Sequence, residues 1–330
     1  MNRGRLFSVL GICVVLASAF LISKRVVIQA QNAPTKFTPP NAKQRTAAIG
    51  SMRNVPRDLR SAFDPAGHFD PIPDPGPSDW LSQHQEFGQT FAQFQQGYPN
   101  RPDQKRNRLY FQPLGDFPKE TSPSLETLSA FAEAFFQMPV EILPTEQVDA
   151  SAIKSRDRGG QPRQLLSTDV LRWLETRLPD DAYCLLAITM EDLYPKESWN
   201  FVFGQASLKN RTGVYSFVRY SPEFNGQKAS DTVSPLFLMR SCKVLAHETG
   251  HMFGIKHCVH FHCLMNGSNH LAESDAHPIH LCPVCLRKLQ SSAKFDVRAR
   301  YKSLLTVSET ADWIEESAWL KKRMEFIGDE

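Results

Sequence analysis

The pattern of apolar and polar positions divides the chain into three stretches. The first holds a 17-residue apolar run, Leu6–Ile22, between Arg3 and Arg5 on one side and Lys24 and Arg25 on the other. From Gln31 to Pro102 no period survives, and 11 of the 23 prolines fall there, Pro71, Pro73, Pro75 and Pro77 among them. Proline lacks an N–H and fixes its own φ, so long helices and central strands are excluded from this stretch. Beyond Arg106 regular spacing returns. Leu109–Leu114 predicts a strand, and Ser124–Gln137, with Leu125, Leu128, Phe131 and Phe135 on one face, predicts a helix. A strand near Val140–Leu143 and a helix near Asp169–Leu178 follow. Ala182–Thr189 is almost uninterruptedly apolar between Asp181 and Glu191, the pattern of a strand buried on both faces. Phe201–Gln205 and Val214–Val218 predict two more strands around the turn-forming Asn210–Gly213. Phe295–Leu305 predicts a helix. In a last one, Trp313, Ile314, Leu320, Met324 and Ile327 are expected to share a face and Gly328 to end it.

Helices and strands thus alternate, which gives an α/β (α+β) fold with a mixed sheet. With 330 residues, 41% of them hydrophobic, the chain can bury one sizeable core or a core plus a small satellite. Four segments are expected: a signal-anchor-like segment over 1–30, a proline-rich linker or irregular extension over 31–106, the globular domain over 107–307, and a C-terminal amphipathic helix over 308–330. The apolar run exceeds a signal core of about 7–15 residues and falls just short of a spanning helix of about 20. Ala17-Ser18-Ala19 lies inside it, so no clean cleavage site follows it. Membrane association through residues 6–22 is therefore expected in preference to a cleaved leader, and places the protein at a membrane or outside the cell.

Net charge is +3, from 38 basic and 35 acidic residues, and sets up no field for nucleic acid. The chemistry is concentrated elsewhere. Eight of the ten histidines lie between His247 and His280, and four of the seven cysteines between Cys258 and Cys285. A nucleic-acid-binding zinc module fits poorly, because beside Cys282 and Cys285 the only basic groups are Arg287 and Lys288.

His247-Glu248-Thr249-Gly250-His251 is an HExxH motif. On a helix, positions i and i+4 lie one turn apart on one face, so two imidazoles can grip one zinc ion. From its neighbouring position the Glu248 carboxylate can reach a metal-bound water without being a ligand. Gly254 and His257 extend the motif to HExxHxxGxxH. A glycine is where the helix should end and the chain reverse, which carries His257 back as a third ligand. Three protein ligands leave a fourth position open for water, the arrangement of a catalytic zinc.

Counting onward, Cys258, Cys263, Met265, Cys282 and Cys285 complete HExxHxxGxxHC-x4-C-x-M…C-x2-C. With the blocks Asp192–Pro195, Ser198–Ala206, Arg240–Lys243, Met265–Leu271 and Leu281–Leu286, this resembles the archaemetzincin family of metzincin zinc peptidases over roughly residues 107–307. The resemblance implies a compact metzincin-like domain with a mixed sheet, an active-site helix and two Zn2+ ions. It assigns His247, His251 and His257 to the catalytic zinc, Glu248 to general base and acid, and Met265 to a turn beneath the metal. Cys258, Cys263, Cys282 and Cys285 would hold the structural zinc, as four thiolates in two short pairs suit a closed tetrahedral site. The function implied is peptide-bond hydrolysis by a zinc-bound water that Glu248 activates, with peptides or proteins as substrates. Two alternatives stay open here. His260 or His262 could replace a cysteine ligand, and in an oxidising compartment the four cysteines could form two disulfides. The rival function is a zinc-stabilised binding or scaffold protein with a vestigial site.

Overall fold

A computed structural model describes residues 37–159, 162–226 and 233–328. The apolar run 6–22, expected to associate with a membrane, lies outside these residues. Among the described residues no helix is long and apolar enough to cross a membrane.

Among the described residues the proline-rich stretch carries only short helices, α1 (Ala42–Ile49), α2 (Arg57–Arg60), α3 (Trp80–Gln83) and α4 (Phe91–Gln96). The domain then runs β1 (Arg108–Leu114), α5 (Leu125–Phe136), β2 (Val140–Ile142), β3 (Ser155–Arg156), β4 (Gln164–Leu166), α6 (Ser167–Glu175), β5 (Ala182–Thr189) and β6 (Asp192–Tyr194). It continues through β7 (Gly204–Ser207), β8 (Thr212–Ser216), α7 (Pro235–Met252), α8 (Leu271–Ala276), α9 (Pro283–Ala293), α10 (Val297–Thr310) and α11 (Ile314–Ile327). Five strands form the main sheet in the order β2-β1-β5-β8-β7, with β7 antiparallel and the others parallel. A smaller sheet has the order β3-β4-β6.

All eight residues of β5 are buried, as a strand covered on both faces requires. Alternate side chains point to opposite faces. Leu186 and Ile188 join the core built by α5, α7, α9 and α10, while Leu185 and Ala187 join Val170 and Leu174 of α6 on the other side. The mixed α/β architecture is therefore the expected one. Some boundaries differ. Phe201–Phe203 precede β7 without joining it, because Val202 bridges Leu193 of β6 instead. The hairpin pairs Ser207 with Thr212 and closes through Arg211 at φ +59°, which moves β8 two residues earlier than the apolar run suggests. In α11 the buried positions are Glu316, Ser317, Leu320, Arg323 and Ile327, following Trp313, whereas Ile314 is 79% exposed. One residue past Trp313 is a 100° rotation, so Ile314 cannot share its face.

Residues 37–106 lie along the helical side of the domain. Pro71 forms a β-bridge with Phe261, Ile49 accepts a hydrogen bond from Arg287 (2.5 Å), and Phe94 is buried in the main core.

Candidate metal centre

Helix α7 starts where Ser234 Oγ accepts from the Phe237 N–H (3.1 Å), with Pro235 in the first turn. Near its far end His247 and His251 project one turn apart, with their Nε2 atoms 3.0 Å from each other. The helix stops after Met252, and Gly254 at φ +81° reverses the chain. His257 returns on that reversal, so that one ligand atom from each histidine lies within 4.8 Å of the others.

Every Nδ1 of the three already has an acceptor. His247 donates to Leu264 O (2.9 Å), His251 to Ile255 O (2.6 Å) and His257 to Glu86 Oε1 (2.7 Å). With Nδ1 protonated, Nε2 carries the lone pair, and such outer partners orient metal-binding imidazoles. Burial pushes His247 well below the ordinary imidazole range, and pushes His257 down too against the pull of Glu86. Both are thus neutral, as ligands must be. Tetrahedral zinc with Zn–N of about 2.0–2.1 Å needs ligand nitrogens roughly 3.3 Å apart. The His247–His251 pair, at 3.0 Å, is within a few tenths of an ångström of that spacing, and His257 lies close enough to complete the set.

The second cluster is built around the following loop. Cys258, Cys263, Cys282 and Cys285 are all buried, with their sulfurs within 4.8 Å of one another. The sulfurs of Cys258 and Cys282 are 3.6 Å apart, far beyond the roughly 2.05 Å of a disulfide and close to the roughly 3.8 Å set by Zn–S bonds of about 2.3 Å. Cys282 sits at the N-cap of α9, with Pro283 next, so this helix aims the Cys282/Cys285 pair. Asn266 fixes the other pair: its side chain accepts from Cys263 N (2.7 Å) and donates to Cys258 O (2.7 Å). The neighbouring thiols hold Cys258 well below the usual thiol range, whereas burial pushes Cys263 and Cys282 well above it. Four thiolates cannot crowd together there without a cation. Neither His260 nor His262 belongs to this group.

Met265 lies beneath α7, where Gly250 makes room for it: a Cβ on Gly250 would stand 2.8 Å from Met265 Sδ. Cys258 N donates to Met265 O (2.7 Å), which ties the two clusters into one loop system.

Glu248 is 2% exposed, and its Oε2 has no hydrogen-bond partner among the described residues. Burial pushes its carboxyl up to about 7, against an opposing pull from His251. It faces a cleft with His247, His257, Val244, Leu264, Phe203 and Tyr220. The arrangement sets an unpaired carboxylate beside three lone-pair nitrogens in a part-apolar cleft, which suits water activation beside a metal.

Three histidines without a role in the motif also find places. His270 caps α8 by accepting from Glu273 N (3.2 Å), His277 lines the cleft, and His280 donates to Glu316 (2.8 Å) while stacking on Trp319. Glu86 and Trp80, whose ring meets His257 edge-on at 5.2 Å, had no motif to mark them. The one cue is that Glu86 is the sole acidic residue between Asp79 and Asp103.

Comparison with known proteins follows the same lines. Residues 138–291 match the profile of Peptidase family M54. Archaemetzincin-2 of Macaca fascicularis is 38% identical over 291 residues, covering 79% of this chain and 79% of that protein. Archaemetzincin-1 of Homo sapiens is 34% identical over 257 residues, covering 69% of this chain and 51% of that protein. Among solved structures, archaemetzincin from Methanopyrus kandleri aligns with 59% of this chain and 99% of its own, at 28% identity and a TM-score of 0.44.

Proposed function

The chain belongs to the archaemetzincin family of zinc metallopeptidases, and from that premise we propose that Glu248 is the general base and acid of peptide-bond hydrolysis. His247, His251 and His257 would hold the catalytic zinc, and Cys258, Cys263, Cys282 and Cys285 a second, structural one. The observation that carries this reading is the unpaired, buried Glu248 carboxylate at the floor of the cleft beside the three imidazoles. Holding a metal does not require that carboxylate; moving a proton does.

A zinc ion in the histidine site supplies Lewis acidity, polarising the scissile carbonyl and acidifying water. The protein's own part is positional. Gly254 and the Nδ1 acceptors fix the imidazoles before substrate arrives. Val244, Leu264 and Phe203 give the cleft apolar walls, which strengthen electrostatic interactions inside it. Glu248 Oε2 takes the proton of the attacking water and then returns it to the departing amine nitrogen. Its raised pKa suits a group that must both take and give a proton near neutrality. The cysteine cluster does no chemistry and anchors the segment that carries His257 and Met265.

The full chain should cleave peptides, lose that activity on chelation, and regain it with added zinc. A chelated, refolded chain that still cleaves would contradict the metal-dependent reading.

A further inference from the structure

We propose that Glu86 is a positioning residue for His257, which makes the proline-rich extension a working part of the peptidase site. This rests on the reading of the histidine cluster as the catalytic zinc site.

The three imidazoles are not supported alike. His247 and His251 stand on a helix, and each leans on a backbone carbonyl of the same domain. His257 stands beyond the reversal, off the helix, and its Nδ1 partner is a carboxylate 171 residues earlier in the chain. Glu86 engages Nδ1, which leaves Nε2 as the nitrogen open to a metal. An inhibitory segment would have to reach that second nitrogen or fill the cleft; Glu86 instead supports the ligand from behind. A carboxylate on the far nitrogen fixes the tautomer, orients the ring and makes it a stronger ligand.

The surrounding contacts are built to keep Glu86 there. Gly88 sits at φ +67°, where a Cβ would stand 2.4 Å from Val259 Cγ2, so only glycine lets this loop close on the segment after His257. Gln89 Oε1 accepts from Lys256 N (3.2 Å), and Gln89 Nε2 donates to Gly254 O (3.3 Å), clasping the reversal itself. Trp80 N donates to Glu273 (2.9 Å), and the Trp80 ring flanks His257.

The test is metal retention by the full chain, read without any substrate. Wild type, Glu86→Ala, Glu86→Gln and Gly88→Ala are loaded with cobalt and titrated with a chelator. Sulfur-to-cobalt charge transfer marks the cysteine site, so the two sites are followed separately. Glu86→Ala and Gly88→Ala should release the histidine-site metal at about 10–100-fold lower chelator activity, with the cysteine site unchanged. Glu86→Gln, isosteric and still an acceptor, should fall between them and wild type. Unchanged retention in Glu86→Ala and Glu86→Gln, or equal weakening of both sites, would overturn the proposal. A wild-type chain that holds metal at both sites but cleaves no peptide would sink the peptidase reading, and the weaker metal retention of Glu86→Ala would then still stand as support of His257 in a metal site.

Discussion

Replacing Gly254 by alanine isolates what the reversal after α7 contributes to the zinc site. Gly254 is at φ +81°, and a Cβ there would meet Pro99 Cα at 3.6 Å and Pro99 Cβ at 3.7 Å, ordinary van der Waals contacts. Collision therefore adds little, and the penalty is that of an L side chain in the left-handed region, about 1–2 kcal/mol. A turn that opens escapes this strain, but an open turn withdraws His257 from His247 and His251. The cost consequently falls on histidine-site zinc affinity, at about 5–30-fold, while the cysteine site keeps its metal. Gly250→Ala is the contrasting case. Gly250 has helical backbone, but its methyl would press on Met265 Sδ at 2.8 Å and Cε at 3.1 Å in a fully buried place. Overpacking of about 1–3 kcal/mol outweighs the roughly 0.5–1 kcal/mol gained in helix propensity. Urea denaturation and zinc competition of both variants, each with and without Met265→Ala, separate the two causes. Met265→Ala should partly rescue Gly250→Ala and leave Gly254→Ala unimproved. Wild-type zinc affinity in Gly254→Ala, or its rescue by Met265→Ala, would refute the reasoning.

Cys285→Ala should lose the structural zinc and loosen the loop carrying His257. Structural zinc is worth about 10–16 kcal/mol in small domains, comparable to the whole stability of a domain at about 5–15 kcal/mol. Native mass spectrometry and circular dichroism should therefore report fewer bound metals and a lower melting point; two zinc ions with an unchanged melting point would exclude this role. The apolar run Leu6–Ile22 is expected to hold the full chain in the membrane fraction through a carbonate wash, and a chain recovered wholly in the wash would refute that expectation.

Much of the site was legible because its chemistry is local. HExxHxxGxxH specifies a helix face, a reversal and a return within 11 residues, and the structure places His247, His251 and His257 together by those means. The Cys258/Cys263 and Cys282/Cys285 pairs were legible in the same way. The buried strand β5 was legible because a strand covered on both faces needs no polar alternation. The hairpin register was not, since Val202 left its apolar run to bridge β6 and the turn closed at Arg211. Ile314 misled for a different reason: it is apolar yet exposed, while a fully buried place in the same helix belongs to Arg323, whose guanidinium donates to the carbonyls of Ser61, Ala62 and Asp64. Glu86 was marked by no motif because its partner lies 171 residues away and only the folded chain brings them together.

The most direct measurement compares full-length wild type with Glu248→Ala on a diverse peptide mixture, with cut sites read by mass spectrometry and zinc counted in both. Wild type should cleave, and Glu248→Ala should keep its zinc yet lose a factor of about 10²–10⁴ in rate. Equal cleavage by the two zinc-loaded proteins would show that Glu248 does not move the proton. No cleavage by a folded, zinc-loaded wild type would turn the site into the metal-stabilised scaffold of the rival reading.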